Sequence, residues 1–495
     1  MTTKSLPLIL LLLLAGFSIC AQQRMNVIFI LADDHRYDAM GFYNKYDGLK
    51  TPNMDRMARE GVHFSNAFVS TALCSPSRAS ILTGQYAHAH KVVDNQAPLP
   101  DGLTFFPQHL QKQGYRTAFI GKWHMGHSDD APQKGFDYWL SFRGQGTYYN
   151  TTLNENGKRY RVEDSSHISD VLTDKAIGFL KETGKSKPFF LYLSHKAVHA
   201  EFEPAKRHKG QQQNMKLYNP PSMYLTVKDT LEKYKNVVTP TINYRDIPNW
   251  VIRQRDSWHG VDYMYHGQIK FNDFMRSYLE TVSSVDESIG RVIRYLEENG
   301  LAQNTVVFYM GDNGFSFGEH GLIDKRHAYE ESMRVPLLVY APGMGTKGRK
   351  VEQLVQGIDI APTILNIAGV QDPGNMHGKS MLPFLKGQNV PNWRDKIFYE
   401  YYWEYDFPQT PTIFSVRTDR FKYIFNHGTW DINELYDLKS DPHEMKNLIR
   451  DSSYRMIARD LRTDMFKWLK ETGGQQIPLQ PLVQPRSDHI YRGVF

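Results

Sequence analysis

Five apolar runs rich in β-branched and aromatic residues, at 26–32, 115–121, 188–194, 305–312 and 336–341, recur over the first three quarters of this chain. Runs without polar alternation suit strands buried on both faces, the condition of a parallel sheet. Helical periodicity lies between them. It is clearest from Met275, where Tyr278, Val282, Val285, Ile289, Val292 and Leu296 share one face and Gly300 follows as a terminator. Strands alternating with helices predict an α/β sheet covered on both faces. With 495 residues, 41% of them hydrophobic, there is apolar material for one large core and a smaller unit.

From about Pro391 the texture changes. KIFYEYYWEYDF, FSVRTDRFKYIFNH and ELYDL are short aromatic strands separated by turn residues. They predict a small antiparallel sheet, followed by a helix near 454–472. The expected organisation is an export signal over 1–21, an α/β unit over 22–390, a C-terminal subdomain over 391–475 and a Pro-rich extended tail over 476–495. The stretch from Glu203 to Asn272 has little periodicity and reads as long surface loops.

Met1 and Lys4 precede the apolar run Leu6 to Ala15 and a small-residue exit, GFSICAQQ, in the order of a secretory signal. The run is shorter than the ~20 apolar residues a spanning helix needs, so the expectation is export to a periplasm or beyond with no stable membrane span. A lipid anchor on Cys20 is the lesser alternative, because Ile19 fits such a signal poorly. The net charge of +6 is thinly spread and does not make the dense basic face of a nucleic-acid binder.

In a parallel α/β sheet the site lies beyond the carboxyl ends of the strands. The residues there are alike in kind: Asp33-Asp34-His35-Arg36, Gly121-Lys122-Trp123-His124, His195 through His199, and Asp312-Asn313-Gly314. Asp33, Asp34, Asp312 and Asn313 offer hard oxygen donors, which favours calcium or magnesium over zinc. Either pair alone reads equally well as helix caps. Arg78, Lys122, His124, His199 and Lys325 form a cationic set suited to a multiply charged oxyanion. Singly, each lysine reads as a solvated surface residue, and His195 and His320 as ordinary hydrogen-bonded histidines.

The chain has two cysteines, and removal of the signal leaves Cys74 as the internal one. A lone thiol in an exported protein is either buried structure or reactive. Cys74-Ser75-Pro76-Ser77-Arg78, continuing to Leu82-Thr83-Gly84, resembles the signature of the formylglycine-dependent sulfatases. Further pieces resemble that family in order from about Asn26 to Leu448, among them ADDHR, GYRTAFIGKWHMG, GDNG, GEHGL and ELYDLKSDPHEMKNL.

The resemblance implies an alkaline-phosphatase-like fold, with a large mixed, mostly parallel sheet and a small C-terminal antiparallel one. It implies that a maturation enzyme converts Cys74 to formylglycine (3-oxoalanine), and that Asp33, Asp34, Asp312, Asn313 and the modified Cys74 hold a calcium ion. One hydroxyl of the aldehyde hydrate would attack sulfur as the alcohol leaves; the second would then collapse to the aldehyde and expel sulfate. Arg78 would steady the hydrate and His124 support the nucleophile. Lys122, Lys325 and His199 would take the sulfate-binding and leaving-group positions, and the start of a helix at ASILTG would turn its positive end to the site. Ala197-Val198 stands where many relatives have proline before the histidine, which sets His199 apart from the Asp pairs.

GFDYWLSFRGQGTYYNTT, FFLYLSHKAVHAEFEPAKRHKG and LTGQYAHAH are most similar to sulfatases acting on N-acetylglucosamine-6-sulfate in mucin or glycosaminoglycan chains. The implied partner is a sulfated glycan. His88, His90 and Arg143 are candidate subsite residues, while Trp139, Tyr148 and Tyr149, like Arg143, read singly as packing or loop residues. Three alternatives stand beside this reading: a sulfatase of another sugar position, a phosphodiester or phosphonate hydrolase, and a non-catalytic binder of sulfated glycans. Cys74 as an ordinary thiol nucleophile lacks a local His-Asp partner.

Overall fold

The computed structural model describes residues 24–126, 129–216, 218–225, 244–267, 269–428 and 430–478. The expected export signal with Cys20, and residues 479–495 of the expected tail, lie outside them. A ten-stranded sheet runs in the order Arg349–Val351, Val62–Phe64, Leu337–Tyr340, Thr305–Gly311, Asn26–Ala32, Phe189–Ser194, Arg116–Lys122, Tyr138–Phe142, Thr152–Glu155, Lys158–Arg161. The five strands from Thr305–Gly311 to Tyr138–Phe142 are mutually parallel.

Four of the five expected strands take this parallel arrangement. The fifth, Leu337–Tyr340, is antiparallel to Thr305–Gly311, with Leu337 opposite Met310. A parallel neighbour needs a crossover over one face of the sheet. Residues 312–336 instead stay at the carboxyl end, where they build the site, so the chain re-enters the sheet from that end. The fifth parallel strand is Tyr138–Phe142, which is not among the expected five and contains Trp139, a residue that reads singly as packing or loop.

Alternate side chains of the central strand explain its unbroken apolar run. Val27, Phe29 and Leu31 enter one core, whereas Ile28, Ile30 and Ala32 enter the other. Helix Phe271–Glu298 lays Tyr278, Val282, Val285, Ile289, Val292 and Leu296 on the second. It begins four residues earlier than expected and stops before Gly300, whose φ of +63° few other residues adopt readily. The described part of the stretch 203–272, which leaves out 217, 226–243 and 268, is more built than expected: helix Asn249–Gln254 and the turn Met264–Gly267 bury Trp250, Val251 and Met264. A few apolar anchors without a period leave no helical signal in a sequence.

The C-terminal strands Lys396–Tyr401, Thr412–Thr418, Phe421–His427 and Glu434–Asp437 form the antiparallel sheet as expected. Helix Arg455–Thr472 packs Leu461, Met465, Trp468 and Leu469 against Phe414, Val416 and Tyr423 on one face. The opposite face, through Ile397, Tyr399, Tyr401 and Ile413, joins the core of the large sheet. The two sheets therefore share packing. No described helix is long and apolar enough to cross a membrane.

Candidate active site

Four neighbouring strand ends deliver the polar residues to one place. Asp33 and Asp34 follow Asn26–Ala32, and Asp312 follows Thr305–Gly311; the Asp312 N–H donates to the Ala32 carbonyl at 2.9 Å. The Asp34 N–H donates to Asp312 Oδ1 at 3.0 Å, and the Asp33 N–H to the Ala197 carbonyl at 3.0 Å, which locks the Asp pair to the loop carrying His199. Gly121 allows this convergence. Its φ is +123°, and a Cβ there would lie 1.8 Å from the Ser194 carbonyl oxygen.

Cys74 is the first residue of helix Cys74–Thr83, which is buried along its whole length. ASILTG is thus the second half of that helix rather than its start, and the positive end lies at Cys74 itself. Ser75 N–H donates to Asn95 Oδ1 at 3.1 Å, and Gly84 closes the helix with φ +69°. One turn along, Arg78 pairs with Asp312 at 2.8 Å and donates to the Lys122 carbonyl and Ser194 Oγ at 2.6 and 2.7 Å. Those bonds tie helix and three strand ends together.

The thiol of Cys74 points at Asp33 Oδ1, 3.4 Å away, and Lys325 Nζ donates to Sγ at 2.9 Å. Lys325 also donates to Asp34 Oδ1, and Lys122 donates to Asp33 Oδ2 and to Gln145 Oε1. His199 Nε2 stands 3.7 Å from Asp34 Oδ2, and the Tyr148 hydroxyl donates to the His199 carbonyl at 2.8 Å. His124 is buried beside this group with φ +53° and no hydrogen-bond partner on Nδ1.

The electrostatics are those of opposed charges held in a buried setting. Burial works to raise Asp33, but the charges of Lys122, Arg78 and Lys325 hold it well below the usual carboxylate range. Burial, then Asp33, push Asp312 up to about 7 against the pull of Arg78. Burial and Asp33 likewise push the Cys74 thiol up to about 12, despite Lys122 and Lys325. A thiol so placed stays protonated at neutral pH, which argues against Cys74 as a thiolate nucleophile. Burial, then Lys122, hold both His124 and His199 well below the ordinary imidazole range.

Ligand atoms of Asp33, Asp34, Cys74 and His199 lie within 4.8 Å of one another. Asn313 Nδ2 donates to Asp34 Oδ1 at 2.7 Å, while its buried Oδ1 has no hydrogen-bond partner. Two buried carboxylates of this group, Asp33 and Asp34, with Asp312 bonded to the Asp34 N–H beside them, and an orphaned amide oxygen fit a hard cation.

The site opens into a cleft of about 300 Å³ lined by Asp34, Lys325 and His199 together with Gln145, Asn95, Glu201, Trp258, His259, Asp324, Arg326 and Phe407. The sequence reading missed the latter group. Asp324 and Arg326 flank Lys325 and were findable by adjacency; Gln145, Asn95 and Phe407 come from distant loops with no pattern of their own. Conversely, the candidates His88 and His90 face elsewhere. His88 pairs with Glu400 of the C-terminal sheet at 2.8 Å, and His90 bonds Ser80 Oγ at 2.9 Å. Arg143 is mostly exposed, 3.9 Å from Asp130. Trp139 stacks on Phe119 in the core, and Tyr149 bonds the Pro204 carbonyl. His195 bonds Ser288 and His320 stacks on Tyr329, both as ordinary buried histidines.

A family model described as Sulfatase matches residues 25–370, and one described as N-sulphoglucosamine sulphohydrolase, C-terminal, matches residues 318–471. N-acetylglucosamine-6-O-sulfatase of Bacteroides thetaiotaomicron is 35% identical, over 95% of this chain and 92% of its own. Human N-acetylglucosamine-6-sulfatase is 33% identical, over 80% of this chain and 71% of its own. A solved structure bound to its substrate D-glucosamine-2-N,6-O-disulfate superimposes with a TM-score of 0.78 at 33% identity, covering 92% of this chain and 99% of that one.

Proposed function

The chain belongs to the sulfatase family, with its alkaline-phosphatase-like fold, and we propose that it hydrolyses the 6-O-sulfate of N-acetylglucosamine in mucin or glycosaminoglycan chains. The observation that carries this reading is the meeting of buried Lys122, Lys325 and Arg78 with half-buried His199 around residue 74 at a helix N-terminus. The choice of sugar rests on the two N-acetylglucosamine-6-sulfatases at 33–35% identity.

In this reading a maturation enzyme oxidises Cys74 to formylglycine, whose hydrate supplies the nucleophile. Asp33, Asp34, Asp312, Asn313 and residue 74 would hold calcium, which polarises sulfate oxygens when bound. Lys122 and Lys325 face two oxygens of the sulfate and neutralise the charge that gathers on them in the transition state. His199, half-buried with its pKa held well below the ordinary imidazole range, would take the leaving-group position beside the sugar oxygen. Arg78 acts by orientation, since its guanidinium is consumed in fixing Asp312 and the two strand ends. His124 flanks the nucleophile. Residues 1–21 would direct export to a periplasm or beyond, and residues 22–390 would form the catalytic unit, with 391–475 packed against it.

The test pairs the peptide mass across residue 74, on protein made with a maturation enzyme, with sulfate release from 6-, 4-, 3- and 2-O-sulfated sugars. An aldehyde mass and release from 6-sulfated N-acetylglucosamine, both lost in Cys74→Ala, are expected. Release only from other positions would overturn the choice of substrate. An unmodified thiol with full activity would overturn the mechanism.

A further inference from the structure

Two carboxamides, Asn95 and Gln145, line the cleft, and each has its oxygen engaged by a donor of the site itself. Asn95 follows the short helix Ala87–His90, and its Oδ1 accepts the Ser75 N–H at 3.1 Å, one peptide bond beyond residue 74. The helix Cys74–Thr83 has no side-chain cap of its own, because Leu73 at its N-cap carries no oxygen there, so Asn95 supplies one from a distant loop. Asp94 Oδ1 accepts the Gln96 N–H at 2.8 Å, and this turn holds Asn95 in place.

Gln145 comes from the turn after strand Tyr138–Phe142, whose last residue is the register neighbour of Lys122 in the adjoining strand. Gly144 and Gly146 flank it with φ of +52° and +63°, and a Cβ on Gly146 would lie 2.4 Å from the Phe142 ring. The turn therefore folds tightly against its own strand end, which only glycine permits. Gln145 Oε1 thereby receives Lys122 Nζ, the ammonium that also donates to Asp33.

The partners fix which way each amide faces. A backbone N–H and an ammonium only donate, so each must meet the amide oxygen, and the NH2 group is left as the free end. Among the described residues neither NH2 has a partner, and both side chains are half-buried on the cleft wall. Two neutral donors beside residue 74, with no acceptor paired to them, suit a group that only accepts. A sulfuryl group is of that kind, whereas a sugar hydroxyl both donates and accepts.

We propose that Asn95 Nδ2 and Gln145 Nε2 donate to the non-bridging oxygens of the sulfuryl group and hold it during its transfer to residue 74. The inference rests on the reading of the cleft as a sulfatase site and adds two donors to Lys122 and Lys325. Being neutral, they add hydrogen bonds without the further charge that would retain the sulfate product.

The experiment uses the matured enzyme and measures kcat/KM on the sulfated sugar that the wild type hydrolyses, the Ki of inorganic sulfate as competitor, and the melting temperature. Asn95→Asp and Gln145→Glu keep the oxygen that accepts from Ser75 or Lys122 and remove the donor. Each should lower kcat/KM by about 10²-fold and raise the Ki of sulfate by about tenfold, with the melting temperature close to wild type. Gln145→Met, which brings no charge, should also lose at least about tenfold in kcat/KM. Wild-type kcat/KM and Ki in Asn95→Asp and Gln145→Glu would reduce the two amides to anchors of the helix and of Lys122, and overturn the proposal. If one of these variants melts early, the other reads the second donor by itself. A wild type inert on every O-sulfated sugar would overturn the sulfatase reading of the cleft, and the two donors with it.

Discussion

Lys325 Nζ donates to Cys74 Sγ across 2.9 Å while also pairing with Asp34, so one buried ammonium touches both the first residue of the helix Cys74–Thr83 and a carboxylate at the end of the central strand. Burial opposes its charge, but Asp34 raises its pKa further above the lysine range, and it stays a cation at any working pH. Lys325→Ala should therefore lower kcat by about 10²- to 10³-fold, as loss of one preorganised oxyanion donor does elsewhere. A fall confined to KM, with kcat kept, would assign Lys325 to ground-state binding only.

Chelation tests the acidic cluster. Asn313 Oδ1 has no partner, and Asp312, though paired with Arg78, is pushed up to about 7 by burial and then by Asp33, so a cation beside these oxygens would relieve both. Calcium added to chelated protein should stabilise it by about 2.7 kcal/mol at a hundredfold excess over its Kd. A melting temperature indifferent to calcium would count against these residues as its ligands.

How far the sequence carries this site depends on where each residue sits. Asp33, Lys122, His199 and Asp312 could be collected because strand ends in a parallel sheet converge, a consequence of topology alone. Strand direction is not encoded in an apolar run, and so Leu337–Tyr340 was expected to be parallel and is not. His88 and His90 lie close to the signature in sequence, yet His88 leaves the cleft to meet Glu400 from a strand more than three hundred residues later. No local pattern reports such a partner. The cleft residues Gln145, Asn95 and Phe407 are hidden for the same reason.

The C-terminal sheet reaches the site through ion pairs. Lys422 Nζ donates to the Ala328 carbonyl at 2.9 Å and pairs with Glu330 and Glu444 at 2.9 and 2.7 Å, all of them buried. Arg417 pairs with the same Glu330, and Glu404 holds Arg326. The segment bearing Lys325 is thus clamped from the C-terminal sheet. Lys422→Met should cost about 3–5 kcal/mol, because buried Glu444 loses its counterion and Glu330 keeps only Arg417. Urea unfolding measures the loss; a change under 1 kcal/mol would mean the pairs only break even.

Acid stability follows from His90, which is wholly buried beneath the signature helix. Its Nδ1 accepts from the Val92 N–H at 3.1 Å, which leaves Nε2 to donate to Ser80 Oγ at 2.9 Å. Protonating Nδ1 would break the first bond. Burial, and then the neighbouring His88, lower its pKa from 6.5 to about 3. Above about 6.5 neither folded nor unfolded chain protonates it, and the full stability is present. As pH falls below that value the unfolded chain binds a proton that the folded one refuses until about 3, so stability is lost by about 1.4 kcal/mol per pH unit in between. His35 and His327, each lowered to about 4 by burial, act in the same direction. His90→Gln, which retains a donor and an acceptor, should remove one proton from the slope of unfolding free energy between pH 6 and 4. An unchanged slope, with the variant folded, would show that His90 binds its proton in the native state too.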